Sequence, residues 1–114
     1  MSTLFILNDP PYGTERSFNG LRLAKALTSK GETVNVFLMA DAVACAKAGQ
    51  KVPQGSYNLE LMVKGVARKG EVLLCGTCMD ARGIGDDELV EGARRGTLDE
   101  LAERTLAAER VLVF

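Results

Sequence analysis

Cys75 and Cys78 stand three positions apart in the segment Cys75-Gly76-Thr77-Cys78-Met79-Asp80-Ala81-Arg82-Gly83-Ile84-Gly85. Two thiols at that spacing suit three chemistries: a reversible dithiol, half of a zinc site, or a nucleophilic thiolate that takes up sulfur as a persulfide. The chain has no histidine, and Cys45 is its third cysteine. Without imidazole there is no Ser-His or Cys-His nucleophile and no usual metal ligand. A structural zinc needs four ligands, so two clustered sulfurs would have to borrow Cys45, carboxylates or another subunit. A thioredoxin-type dithiol expects its pair at the start of a helix, and Gly83 and Gly85 predict against a helix running on from Cys78. Persulfide transfer requires neither imidazole, metal nor organic cofactor. Arg82, four residues beyond Cys78, is a cation that would favour the thiolate if it folds back.

Plainer readings of the same residues stand beside these. A free cysteine is among the most often buried residues, so Cys75, ending an apolar run, reads first as a core or near-core thiol. Cys45 in an alanine-rich stretch reads the same way. The spacing leaves Cys78 open to a structural and a chemical reading alike. Asp9 and Asp41 suit helix caps or turns, Arg82 suits a solvated surface, and Pro10-Pro11-Tyr12 suits a shaped loop.

The elements that must position these residues come from a chain of 114 residues, which predicts one domain over residues 1–114. Apolar residues make up 46% and charged residues 25%, ordinary globular proportions. With 14 basic and 15 acidic side chains the net charge is -1, which provides no electrostatic footprint for nucleic acid. The start of the chain has no basic segment before its short apolar run, so no signal peptide is expected, and no run approaches the roughly 20 apolar residues of a membrane span. An odd number of cysteines, two of them close together, fits thiols kept reduced, and a cytoplasmic location is expected.

Thr3 to Asn8 is an almost continuous apolar run closed by Asp9-Pro10-Pro11-Tyr12-Gly13, which predicts a buried strand and a fixed loop. Gly20, Leu23, Ala24 and Leu27 follow helical spacing, with Thr14 as N-cap and Gly31 as the stop. Thr33 to Met39 reads as a second strand, and Ala40 to Ala48 as a short helix beginning near Asp41. After a loop over residues 49–56, Leu59, Met62, Val63, Val66 and Ala67 mark the clearest helix, stopped by Gly70. Glu71 to Cys75 is a third strand, a short additional one fits Val90 to Ala93, and Arg110 to Phe114 is the last. Between them Thr97-Leu98-Asp99-Glu100 is a capping box opening a helix.

Strands alternating with amphipathic helices imply βαβ units, hence a three-layer α/β domain with a mostly parallel sheet. The carboxyl ends of such strands open onto the ligand crevice. The loops gathered there are residues 8–13, 39–41 and 75–85. None carries the Gly-x-Gly-x-x-Gly spacing of a nucleotide site, so no nucleotide cofactor is expected, and two clustered sulfurs without imidazole lead to no expected metal.

Several segments also fall in a recognisable order: Asn8-Asp9-Pro10-Pro11-Tyr12-Gly13; Phe18-Asn19-Gly20-Leu21-Arg22-Leu23-Ala24; Phe37-Leu38-Met39-Ala40-Asp41-Ala42-Val43; Gly49-Gln50-Lys51; Leu74-Cys75-Gly76-Thr77-Cys78 with Asp80, Arg82, Gly83 and Ile84; and Gly96-Thr97-Leu98 with Glu100-Leu101-Ala102. Together they span essentially the whole chain and resemble the DsrE/DsrF-like family, in its YchN-like branch. The resemblance implies a flavodoxin-like α/β/α domain with a five-stranded sheet, assembled as a homo-oligomer, typically a hexamer. It also implies a cytoplasmic sulfur carrier or sulfurtransferase-like relay subunit, with other sulfur-relay proteins as donor and acceptor.

The position that matches the family's persulfide cysteine is Cys78, with Cys75 the extra thiol of the YchN-like branch. On this reading Cys75 resolves the persulfide, Arg82 tunes the thiolate, and Asn8, Asp9, Tyr12, Asp41 and Asp80 line the crevice. The rival readings are a Cys75/Cys78 dithiol oxidoreductase and an oligomeric binding module whose thiols are inert.

Overall fold

The computed structural model describes residues 2–114. Five strands, β1 (Ser2–Leu7), β2 (Thr33–Leu38), β3 (Glu71–Cys75), β4 (Ala93–Gly96) and β5 (Arg110–Val113), form one sheet in the order β4-β3-β2-β1-β5. Every neighbouring pair is parallel. The connecting α-helices are α1 (Arg16–Ser29), α2 (Leu59–Ala67), α3 (Gly76–Ala81) and α4 (Leu98–Ala107).

The strands read as apolar runs because both sheet faces are covered. Phe5, Leu7, Val34, Val36, Leu38, Val72 and Leu74 pack with Leu21 and Ala24 of α1, Leu59, Val63 and Val66 of α2, and Met79 of α3. The alternate residues Leu4, Phe37 and Leu73 meet Leu101 of α4 on the opposite face. One face therefore carries three helices and the other carries one. That asymmetry follows from topology: the chain steps from β1 to β4 in one direction, then returns across the sheet to β5, and right-handed crossovers put the returning helix on the other side.

Local chemistry explains most boundaries. Asn58 caps α2 by accepting the Leu61 N–H at 3.2 Å. Thr97 and Glu100 form the expected box at α4, with reciprocal bonds of 3.1 Å. At α1 the N-cap is Glu15, whose side chain makes no capping bond to the helix. Thr14, expected there, lies one residue earlier, where its hydroxyl accepts the Arg16 N–H at 3.4 Å and donates to Asp9 at 2.9 Å. Ala40–Ala46 is a 3-10 helix rather than an α-helix.

The short strand expected over 90–93 lies three residues later, at Ala93–Gly96. Val90 is instead held by its N–H to the Ala46 carbonyl at 2.9 Å. No helix among the described residues is long and apolar enough to cross a membrane.

Candidate functional site

Cys75 is the last residue of β3 and the N-cap of α3, so the two thiols sit where strand turns into helix. The expectation that no helix runs on from Cys78 is corrected: α3 spans Gly76–Ala81, holds Cys78 and continues for three residues beyond it. The glycines act beyond the helix, where Gly83 adopts a φ of 66° that terminates it at low steric cost. The Cys75 Sγ accepts the Cys78 backbone N–H at 3.3 Å, the bond a serine or threonine cap would make. Both thiols are half-buried and unpaired, whereas Cys45 is fully buried.

The environments of the two neighbours differ. Burial pushes the Cys75 thiol above its ordinary value, and a side-chain hydrogen bond with Cys78 pushes the same way, against the opposing backbone bond from Cys78. Cys75 packs beside the Leu4, Phe37, Leu73 and Leu101 cluster, on the α4 face. Cys78 packs against the larger core on the other face. The pair thus straddles the end of the sheet.

Cys75 opens into a cleft of about 300 Å³ whose floor is Phe37 and Met39 and whose rim includes Asp80, Arg95, Thr97 and Leu98. The cleft lies between the ends of β3 and β4. From β3 the chain leaves into α3 on one face, and from β4 into α4 on the other, so the two connections diverge and leave a crevice between them. Position in the topology, rather than any single motif, makes this the open point of the carboxyl edge.

Arg95 is the site residue that spacing did not single out. Its guanidinium donates to the Gly76 carbonyl at 3.1 Å, pairs with Asp80 at 3.1 Å and bonds Asp86 at 2.8 Å. It ties β4 to the first residue of α3 and to the 3-10 turn at Asp86–Glu88. Setting β4 at its true position, 93–96, would have placed Arg95 at this edge.

The other expected residues divide. Asp80 lines the cleft. Asp41 receives the Arg82 Nε and Nη2 at 3.0 and 2.9 Å, and the same guanidinium donates to the Cys78 carbonyl at 3.1 Å. Arg82 does fold back toward Cys78, and its contact is with the carbonyl oxygen, joining the end of α3 to the 3-10 helix that holds Asp41.

Asn8, Asp9 and Tyr12 come to the same edge of the sheet, but the cleft is lined by others. Asn8 Nδ2 donates to the Phe114 carbonyl at 3.3 Å, and the Asp9 carbonyl accepts the Ser17 hydroxyl at 2.6 Å. Tyr12 donates its hydroxyl to Gln50 Oε1 at 2.6 Å and accepts the Leu59 N–H at 3.2 Å. Their polar groups hold loops together. Among the described residues no three Cys, Asp or Glu side chains gather as metal ligands.

A model of the DsrE/DsrF-like family matches residues 1–114. The chain is 44% identical over 114 residues to Protein YchN of Escherichia coli strain K12, covering 97% of each chain. It is 32% identical over 114 residues to the uncharacterized protein MJ0989 of Methanocaldococcus jannaschii, covering all of both. The crystal structure of the E. coli YchN protein superposes with a TM-score of 0.92 at 43% identity over the full length of both chains. Protein MTH1491 of Methanobacterium thermoautotrophicum, at 12% identity and a TM-score of 0.79, shares the fold. Full-length agreement in sequence and fold leads to one assignment: the chain belongs to the DsrE/DsrF-like family, in its YchN-like branch.

Proposed function

We propose that this chain is a cytoplasmic sulfur carrier that accepts sulfane sulfur on Cys78 as a persulfide and passes it to a partner. The observation that carries the proposal is the asymmetry of the thiol pair: the Cys75 Sγ is engaged as the helix cap by the Cys78 N–H, and burial raises its thiol above the ordinary value. Cys78 is then the sulfur left to attack first. In the forward step the Cys78 thiolate attacks the outer sulfur of a donor persulfide, and the donor's inner sulfur departs as a thiolate. In the return step an acceptor thiolate attacks the outer sulfur on Cys78 and restores the Cys78 thiolate. No metal, imidazole or organic cofactor takes part.

The test is to treat reduced protein with a small persulfide donor and map the added sulfur by peptide mass spectrometry. The sulfur is expected on the Cys78 peptide and is expected to vanish in Cys78→Ser. Equal uptake by that variant ends the proposal.

One observation favours a second reading, a dithiol oxidoreductase: Cys75 caps a helix that contains Cys78, the placement a redox pair needs. It predicts loss of disulfide-exchange turnover when either cysteine is replaced, whereas a carrier keeps taking up sulfur without Cys75.

A homo-oligomer is the proposed working form. Supporting this, Leu98 and Leu106 of α4 are 72% and 88% exposed and Val113 of the edge strand β5 is 64% exposed. A short chain that leaves such side chains uncovered gains burial by assembling. Leu106→Glu combined with Val113→Glu is expected to lower the mass measured by light scattering after gel filtration, without loss of helical signal. An unchanged mass removes these side chains from the interface.

A further inference from the structure

A persulfide has two sulfurs open to attack, and the choice decides where the sulfur goes. Attack on the outer sulfur moves it from one thiol to another. Attack on the inner sulfur expels the outer one as hydrosulfide and leaves a disulfide. A carrier with a single cysteine offers only the first exit within its own chain, whereas this chain places a second thiol beside the first.

The placement is specific. The Cys75 Sγ accepts the Cys78 backbone N–H at 3.3 Å, so it rests against the backbone of the residue whose sulfur it would attack. A thiol in that position already neighbours the Cys78 Sγ, the inner sulfur of a Cys78 persulfide. Three positions apart across a first helical turn, the two side chains are near neighbours. Cys75 is also the member that lines the cleft between β3 and β4, with Phe37, Met39 and Leu98.

Resting on the persulfide reading above, we infer that Cys75 gives the sulfur a second exit: it attacks the inner sulfur of the Cys78 persulfide and discharges hydrosulfide, making the chain a persulfide reductase when no acceptor is docked. The Cys75 thiol first gives its proton to solvent through the cleft. The Cys75 thiolate then forms a bond to the Cys78 Sγ as the bond between Cys78 Sγ and the outer sulfur breaks. The outer sulfur leaves with the bonding pair as HS⁻. Sulfane sulfur is reduced by two electrons, and the two thiols are oxidised to one disulfide. A second turnover requires a dithiol reductant, which returns the pair to thiols by exchange. The intramolecular step competes well with transfer to a partner in solution, because the attacking sulfur is already in place.

The test is one turnover without added reductant. Reduced protein and its Cys75→Ser variant, in which a serine hydroxyl can still cap the Cys78 N–H, are mixed with glutathione persulfide. Samples are quenched and read for hydrosulfide above the donor-only background and for intact mass. The parent is expected to release one hydrosulfide per chain and to lose two hydrogens as the Cys75–Cys78 disulfide forms. Cys75→Ser is expected to gain one sulfur atom on Cys78 and to release at least tenfold less hydrosulfide.

A parent that keeps its added sulfur and releases no hydrosulfide overturns the inference and leaves the carrier reading standing. A glutathione adduct on Cys78 of the variant, with hydrosulfide released as fast as by the parent, also overturns it, since the donor's own inner sulfur was then attacked. Absence of added sulfur on Cys78 in both proteins, together with no disulfide, defeats the carrier reading itself.

Discussion

Raising the pH from 9.0 to about 12 is expected to remove on the order of 4 kcal/mol from the stability of the folded chain through one side chain, Cys45. Its thiol is pushed up to about 12 by burial, which outweighs the lowering effect of hydrogen bonds from Ser17 and its own backbone. The sulfur is fully buried, 3.9 Å from the Asp9 carbonyl. In the unfolded chain the same thiol ionises near its ordinary value. A group whose folded pKa is raised contributes its stability fully below the unfolded pKa, and loses it as pH climbs toward the folded value. The affected window therefore lies between 9.0 and about 12.

Other groups titrate in that window, among them Cys75 and Tyr57, both raised by burial first. They do so equally in a Cys45→Ala variant. Urea midpoints followed across the window should show the parent ahead at the acid end and the variant ahead at the alkaline end. Parallel curves would mean that Cys45 ionises in the folded chain as it does in solution.

Cys45 also shows why a cysteine count could not by itself locate the chemistry. None of the three forms a disulfide, and burial separates Cys45 from the half-buried pair at the sheet edge. The sequence could place that pair at the edge because β3 is a five-residue apolar run with a turn beyond it. The parallel sheet and the helices α1, α2 and α4 were legible for the same reason: long apolar periodicity and side-chain caps are local signals.

Two features were not legible, each for a physical reason. α3 has six residues and owes its existence to a sulfur cap and to Arg95, partners supplied by its neighbours rather than by its own composition. β4 reads Ala-Arg-Arg-Gly, with no apolar run to announce it. It is an edge strand paired to β3 alone, and pairing rather than propensity makes it a strand. Misplacing it hid Arg95.

The loop residues Asn8, Asp9 and Tyr12 show the opposite case. Topology brought them to the correct edge, but which of several polar partners each would take was decided by three-dimensional packing. Tyr12 is bonded to Gln50 and Leu59, 38 and 47 positions away.

Gly70 carries the second large effect. The periodicity of α2 marks it as the residue that stops the helix, and its N–H does reach back to the Val66 carbonyl at 2.9 Å. The requirement for glycine has another source: a methyl group there would run into the carbonyl oxygen of Val34, with the carbonyl carbon only 3.1 Å away. Val34 belongs to β2 and is locked in register opposite Thr3 of β1. Backbone meeting backbone cannot relax by rotating a side chain, so either β2 or the entry to β3 must move.

Gly70→Ala is accordingly expected to cost about 3 kcal/mol or more, the upper end for overpacking. Because Glu71 to Cys75 follow directly, the shift should also loosen the Cys75 cap and raise the alkylation rate of Cys75 under native conditions. Gly65, five residues earlier in α2, provides the control. A methyl group there meets nothing within 4 Å, and replacing a helix-interior glycine is expected to gain about 0.5 to 1 kcal/mol. Equilibrium urea unfolding of Gly70→Ala and Gly65→Ala should thus move in opposite directions from the parent. Should the Gly70 variant unfold within about 0.5 kcal/mol of the parent, the range ordinary surface substitutions keep, the close approach to Val34 does not hold β3 in place.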